Sequence, residues 1–309
     1  MRAVLVTNPA ASTSGGWTRE IVVRALQAEL DLTVELTQHR GHATEIARAA
    51  RDNGVDVVLT LGGDGTVNEV INGLLAPSDK PTPLLGTVPG GLANVFPRSI
   101  GYSSDAMTAA GQLIEGLQQK SVKTIPLGLF NDRYFAFNAG LGLDASIIEA
   151  VEAQRAEGNR ATPGMYLLTG LRQFMETREG PHITITTQDG RVISGAHMVV
   201  VQNTSPWVFM GPIPFDFAPD ASFDRGLDLV ALTSMSATAL ATYMAETAAG
   251  VELSKRSNCE AVENFDYLTI TSEVPLPAQV DGDSLGSVTQ AVVRAIPNAL
   301  HVVVPVGHD

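Results

Sequence analysis

The sequence predicts two domains of different texture: an N-terminal α/β domain built on a parallel sheet, and a β-rich C-terminal domain of the sandwich or open-barrel kind. Three observations carry this. At 309 residues and 44% apolar content, the chain can bury two cores of ordinary size. Over the first third, apolar runs alternate with helical spacing, the pattern of a parallel sheet with helices on both faces. Beyond Val122 the runs shorten, favour β-formers and are punctuated by Gly, Pro and Asp pairs. Charge changes at the same place: residues 1–125 carry 10 basic and 12 acidic side chains, residues 126–309 carry 10 and 21. This step places the α/β domain at 1–125 and the β-rich domain at 126–297.

Taken in order, Arg2–Thr7 (RAVLVT) is a short strand closed by NPAASTSGG. Thr18–Leu30 spaces Ile21, Val22, Ala25, Leu26 and Leu30 as one helical stripe. A strand at Thr33–Thr37, a helix at His42–Asn53 and a strand at Val55–Leu61 follow. Thr66–Leu75 is helical through Val67, Val70, Ile71, Leu74 and Leu75, and Leu84–Val88 is the next strand. The later strands are Thr124–Phe130, Tyr134–Asn138, Ile183–Thr187, His197–Gln202, Leu227–Thr233, Tyr267–Thr271 and Leu300–Pro305. Helical spacing returns at Ser146–Glu157, Met165–Glu179 and Ala237–Val251, and no internal repeat is visible.

Composition excludes several functions. Net charge is −13, so a nucleic-acid backbone is repelled over most of the surface and is not an expected partner. The single Cys259 forms no intramolecular disulfide, and with six scattered His there is no zinc constellation. No apolar run reaches about 18 residues, and MRAVLVTNPA lacks the pattern of a secretory leader. The expected location is cytoplasmic.

The chemistry concentrates in LGGDGTVNEV, Leu61–Val70, where glycines fall at a strand-to-helix turn. Such turns receive phosphate, because helix N–H groups point outward there. A carboxylate in that loop is repelled by phosphate oxygens, so Asp64 implies a cation or its bound waters, hence a metal–nucleotide. The loop lacks the G-K-[ST] of a P-loop and the second half of G-x-G-x-x-G. Thr66-Val67-Asn68-Glu69 also matches a capping box, so Thr66 and Glu69 either cap the helix or touch a nucleotide. Val280-Asp281-Gly282-Asp283 reads from the residues as a hairpin turn, and Asp144 as a helix cap before Ser146. TPGMYLLTGLRQFMETRE at 162–179 is either core or a lipid-admitting helix. Trp207, Phe209, Met210, Phe215 and Phe217 either line a cleft or pack, and His39 and His42 read as solvated or capping residues.

Six blocks stand in order along nearly the whole chain: Asn8-Pro9, Thr37 with Gly41-His42-Ala43, Gly62-Gly63-Asp64-Gly65-Thr66, Pro89-Gly90-Gly91-Leu92-Ala93-Asn94-Val95-Phe96, Gly140-Leu141-Gly142-Leu143-Asp144-Ala145, and Asp281-Gly282-Asp283. Together they resemble the diacylglycerol-kinase-type lipid kinases of bacteria, relatives of the sphingosine and ceramide kinases. The resemblance implies a NAD-kinase-like α/β domain binding ATP, a β-sandwich domain, a lipid cleft between them, and a last strand, about 298–309, that returns to the first domain. It assigns ATP contacts to Asn8, Thr37, Gly62, Gly63, Asp64, Gly65, Thr66, Asn68, Glu69, Gly91, Leu92 and Asn94. Asp283 becomes the proton acceptor, Asp64 the organiser of Mg²⁺–ATP, and Asp144 an orienter of Mg²⁺-bound water. The implied activity is ATP-dependent phosphorylation of a lipid hydroxyl, diacylglycerol first, with transient contact at the membrane surface and room for a homodimer. The competing activities are a nucleotide kinase such as NAD kinase and a non-catalytic binding protein of the same fold.

The chain departs from the family's pattern in places. Asp283 stands where Glu is typical, and Leu92 replaces a Thr hydroxyl in the nucleotide loop. Pro97 precedes Arg98 where alanine is usual. At the family's structural Mg²⁺ position, Pro219–Leu227 places Arg225 on the metal aspartate, with Asp224 adjacent, so that site is expected to be altered or absent. With four lysines and none in a glycine loop, Mg²⁺ and helix dipoles must neutralise the phosphates, helped by Arg98 or Arg19.

Overall fold

A computed structural model describes residues 1–9, 16–142, 145–146, 150, 183–233 and 259–308. The chain divides into two units, Met1–Pro126 with Pro297–Asp309, and Leu127–Ile296.

In the first unit β1 (Arg2–Thr7), β2 (Asp31–Leu36), β3 (Val57–Gly62) and β4 (Leu84–Pro89) pair in parallel in the order β4-β3-β1-β2. Between them run α1 (Gly16–Glu29), α2 (His42–Asp52) and α3 (Asp64–Leu74). The chain steps from β1 to β2 in one sense and from β2 to β3 in the other, so right-handed crossovers put α1 and α2 on opposite faces. Accordingly α2 packs on α3 and β1, while α1 packs on β2 and on a later helix. Every residue of β3 is buried, which is why it reads as a near-continuous apolar run broken only by Thr60.

After β4 come a short helix, α4 (Val95–Ser99), and α5 (Ala106–Gln119), neither of which the spacing foretold. The buried face of α5 is Ala109, Ala110, Leu113 and Gly116, small residues that leave little apolar periodicity. Its start is nonetheless well marked, since the Asp105 carboxylate accepts the Thr108 N–H at 2.8 Å.

The second unit is antiparallel. It comprises β5 (Val122–Phe130, from Leu127 on), β6 (Arg133–Phe135), β7 (Asn138–Gly142), β8 (Ile183–Thr187), β9 (Val192–Ala196), β10 (Met198–Gln202), β11 (Val208–Met210), β12 (Ile213–Phe215), β13 (Leu227–Leu232), β14 (Cys259–Phe265), β15 (Tyr267–Val280) and β16 (Asp283–Val303). The strand order is β14-β13-β10-β7-β15-β16, with β8 also on β15 and β9 on β8, while β11 and β12 form a separate hairpin. Alternate residues such as Leu141, Ile185, Val201, Leu229 and Leu268 point to one face and close the core. β16 continues into the first unit, where Val302 pairs in parallel with Leu85 of β4.

The helical stretches at 165–179 and 237–251, most of 146–157, and Asp144 lie outside the described residues. Among the described residues no helix is long and apolar enough to cross a membrane.

Candidate active site

The residues proposed for the nucleotide converge on one edge of the first unit. Asn8 follows β1, Thr37 follows β2, the 62–66 loop follows β3 and the 89–94 loop follows β4. In a parallel sheet these are the C-terminal ends, and the strand order reverses between β1 and β3, the usual ligand position in open α/β folds. Asn8 donates its N–H to Leu61 O at 3.4 Å, and Thr37 donates to Thr7 O at 3.0 Å. The buried Thr7 hydroxyl at this edge finds no partner among the described residues.

The two glycine loops lock onto each other. Gly90 N–H donates to Gly62 O at 2.8 Å. A Cβ on Gly91 would stand 2.5 Å from Gly63 Cα, and one on Gly62 would stand 2.7 Å from Thr66 Oγ1. Gly91 therefore lets the two loop backbones meet, and Gly62 makes room for the Thr66 side chain. Asn94, with φ of 49°, accepts the Gly91 N–H at 2.7 Å and donates its amide to Gly91 O at 2.8 Å. Its side chain shapes the turn from within, leaving Leu92 exposed at the tip.

Asp64 begins α3 and reaches across to the second loop. Its two carboxylate oxygens accept the N–H groups of Val95 and Phe96, each at 3.0 Å, so it caps α4. The residue is half-buried. Arg98 lies within the field of Asp64: burial lowers the guanidinium from its usual pKa, and the carboxylate pulls it back up.

The capping-box reading does not hold. Gly63, not Thr66, is the N-cap of α3, and having no side chain it makes no side-chain cap bond. Glu69 turns away to α2, accepting Gly41 N–H at 2.8 Å and Ala43 N–H at 3.1 Å. The positive end of α2 is thus filled by a neighbouring helix's carboxylate, while α3 offers its own end to an anion. Asn68 is fully buried and holds Asn72, whose amide donates to its Oδ1 at 3.1 Å. His42 Nδ1 accepts the Gln38 N–H at 3.1 Å and His39 stacks on it at 4.9 Å, so both shape the loop after Thr37.

In the second unit Asp281 and Gly282 both have positive φ, 49° and 79°, and Val280 pairs with Asp283: a tight two-residue hairpin. Asp283 stands half-buried just after it. Asp281 is almost wholly buried, and its carboxylate accepts the N–H groups of Ala136, Phe137 and Asn138 at 2.7, 3.0 and 3.2 Å. In the sequence Asp281 is one letter of the Asp281-Gly282-Asp283 block, and its place before Gly282 is the only local signal of its role.

Asp224 is exposed, and no group of three His, Cys, Asp or Glu side chains able to hold a metal occurs among the described residues. The neighbouring Arg225 guanidinium donates to the buried Asp228 carboxylate at 3.1 Å and to Asp220 O at 3.5 Å. Asp228 also accepts the Asn264 N–H at 2.6 Å. Burial pushes the Asp228 carboxyl above its usual range, while that N–H and the Arg225 charge oppose the shift. This donor set does not fit a divalent cation, because a side-chain cation already serves the buried carboxylate.

The first unit is thus a parallel sheet with its loops gathered at the switch point, joined in one chain to an antiparallel unit. The diacylglycerol kinase catalytic domain matches residues 2–123, and the YegS C-terminal NAD kinase beta sandwich-like domain matches 138–304. A diacylglycerol kinase of Bacillus subtilis is 31% identical over 243 residues, 75% of this chain and 73% of that one. A diacylglycerol kinase of Staphylococcus aureus is 36% identical over 140 residues, 43% of this chain and 41% of its own. Among solved structures, a diacylglycerol kinase from Bacillus anthracis superposes with a TM-score of 0.73 at 24% identity, over 100% of this chain and 98% of that one. An NAD kinase from Archaeoglobus fulgidus in complex with ATP gives 0.53 at 12%, over 100% and 95%, a likeness of fold alone. The chain belongs to the diacylglycerol kinase catalytic-domain family of lipid kinases, whose phosphoryl donor is ATP.

Proposed function

We propose that the protein transfers the γ-phosphoryl group of ATP to the free hydroxyl of diacylglycerol, giving phosphatidic acid. The observation that carries this reading is the convergence of Asn8, Thr37 and the two interlocked loops at the sheet's switch point, beside the start of α3, whose N-cap is Gly63. In this reading the N–H groups at the start of α3 hold phosphate oxygens, and Asn8, Thr37, Gly63–Thr66 and Leu92 shape the nucleotide's bed. Asn94, Glu69 and Asn68 act by holding the loops in place. Arg98 adds positive charge near the loop. Phosphoryl transfer asks for little covalent help beyond alignment and charge neutralisation, which suits a site made of backbone and loops.

Mg²⁺, when bound, would neutralise charge on the transferring group. Asp64, in the first turn of α3, would bond a water on that ion. Asp283 accepts the proton of the attacking hydroxyl. Its shorter side chain asks for a closer acceptor or a bridging water than a glutamate would.

The test is transfer of label from γ-labelled ATP to a mixed lipid extract, with products identified by mass spectrometry. Labelled phosphatidic acid is expected, and the Asp283→Asn variant should bind ATP normally yet transfer roughly 10²–10⁴-fold more slowly. Transfer to NAD and not to lipid would overturn the lipid reading. ATP binding without any labelled product would make the chain a non-catalytic member of the family.

A further inference from the structure

The hairpin that carries Asp283 is held in a way that folding alone does not require. A two-residue turn of positive-φ Asp and Gly ordinarily sits in solvent, where its polar groups are hydrated. Here Asp281 is 3% exposed and Gln279, the residue two before it, is 1% exposed. The Gly282 N–H and the Gln279 amide are each served by a specific partner. Gln279 Oε1 accepts the Gly282 N–H at 2.9 Å, and Gln279 Nε2 donates to Asn138 Oδ1 at 3.0 Å. Asn138 Nδ2 in turn donates to Trp207 O at 2.8 Å, and the Asn138 N–H binds Asp281. Asn203, from the loop after β10, closes the bed by donating to Ala136 O at 2.8 Å.

The result is a relay of amides running from the turn, through β7, to the segment that leads into β11. Gly282 lies directly before Asp283, so its N–H is the last backbone handle upstream of that carboxylate. Gln279 and Gly282 fix that handle from inside the protein. Buried polar networks of this kind gain little net stability over apolar packing, but fully satisfied they impose a single geometry.

We infer that Gln279 and Asn138 are positioning residues for Asp283: they set where the carboxylate stands when the acceptor hydroxyl arrives. The inference rests on the reading of Asp283 as proton acceptor. A displacement of about 1 Å at a reacting group costs on the order of 100-fold in rate, so loosening the relay should appear in kcat.

The experiment is a double-mutant cycle. Gln279→Leu keeps the volume and removes both bonds; its kcat should fall between 10- and 100-fold while KM for ATP stays within twofold. Combined with Asp283→Asn, it should add no further loss beyond that of Asp283→Asn alone, because both act through one carboxylate. Asn138→Ala serves as the second variant if Gln279→Leu does not fold, with the same expectations. Losses that multiply in the double variant, or an unchanged kcat in the single one, would overturn the positioning role while leaving the Asp283 assignment intact. Near-normal turnover by Asp283→Asn alone would instead sink the assignment, and the positioning role with it.

Discussion

The carboxylate of Asp64 stands in the first turn of α3 yet spends both oxygens on the backbone of α4. A glycine loop carries an acid here partly because the next loop must be tied to it: α4 has only five residues and its N-cap, Asn94, is occupied with Gly91. Replacing Asp64 by alanine leaves two partly buried N–H groups without their acceptor and removes the negative charge that faces Arg98. The loss should be about 1–3 kcal/mol of stability, read as a lowered Tm by circular dichroism. Asp64→Asn keeps one good acceptor and should recover part of that stability. On the proposed role in organising Mg²⁺–ATP, turnover in Asp64→Asn should still fall at least about 10-fold, since a neutral amide serves a cation less well than a carboxylate; full activity would confine Asp64 to its capping role.

At the scale of elements, the site is assembled by groups that reach from one loop or helix to the next, and this decides what the sequence could reveal. Periodicity disclosed β3 and α3 because their buried faces are Val, Leu and Ile, whereas α5 buries alanines and glycine and left no such trace. The Asp64 loop announced itself through local glycine density. Nothing local says that Glu69 caps α2 or that Gln279 meets Asn138, because those partners are joined only by the fold. The Arg225 departure and the altered metal position it implies were legible in the sequence; the carboxylate it serves, Asp228, was not. Arg225→Met should cost on the order of 2–3 kcal/mol at pH 7, toward the low end for a broken buried pair because the guanidinium is about a quarter exposed. The sign of its pH dependence follows from Asp228, whose pKa is already raised in the folded protein. A raised carboxyl favours folding below the ordinary carboxylate range and loses that contribution as pH rises through its folded pKa. Removing Arg225 raises it further, so the penalty should grow from acid to neutral pH, measured as denaturation midpoints from pH 4 to 7. Added EDTA should leave the midpoint of the unmutated protein unchanged at this site.

The whole molecule carries −13, and its proposed product is itself an anionic lipid. An anionic membrane surface sits at about −30 mV, and each like charge near it is repelled. The enzyme therefore gains no general attraction to such a surface and should work faster on diacylglycerol in zwitterionic vesicles than in vesicles rich in phosphatidylglycerol. The difference should be largest at low ionic strength and shrink toward 0.15 M salt, where the Debye length is about 8 Å. Because phosphatidic acid accumulates in the same bilayer, progress curves on zwitterionic vesicles should slow before the substrate is consumed, and added salt should relieve the slowing. Initial rates across vesicle compositions and salt concentrations test this directly. A rate that rises with anionic lipid would show that a local basic patch outweighs the net charge, and would relocate the membrane-facing surface to wherever that patch lies.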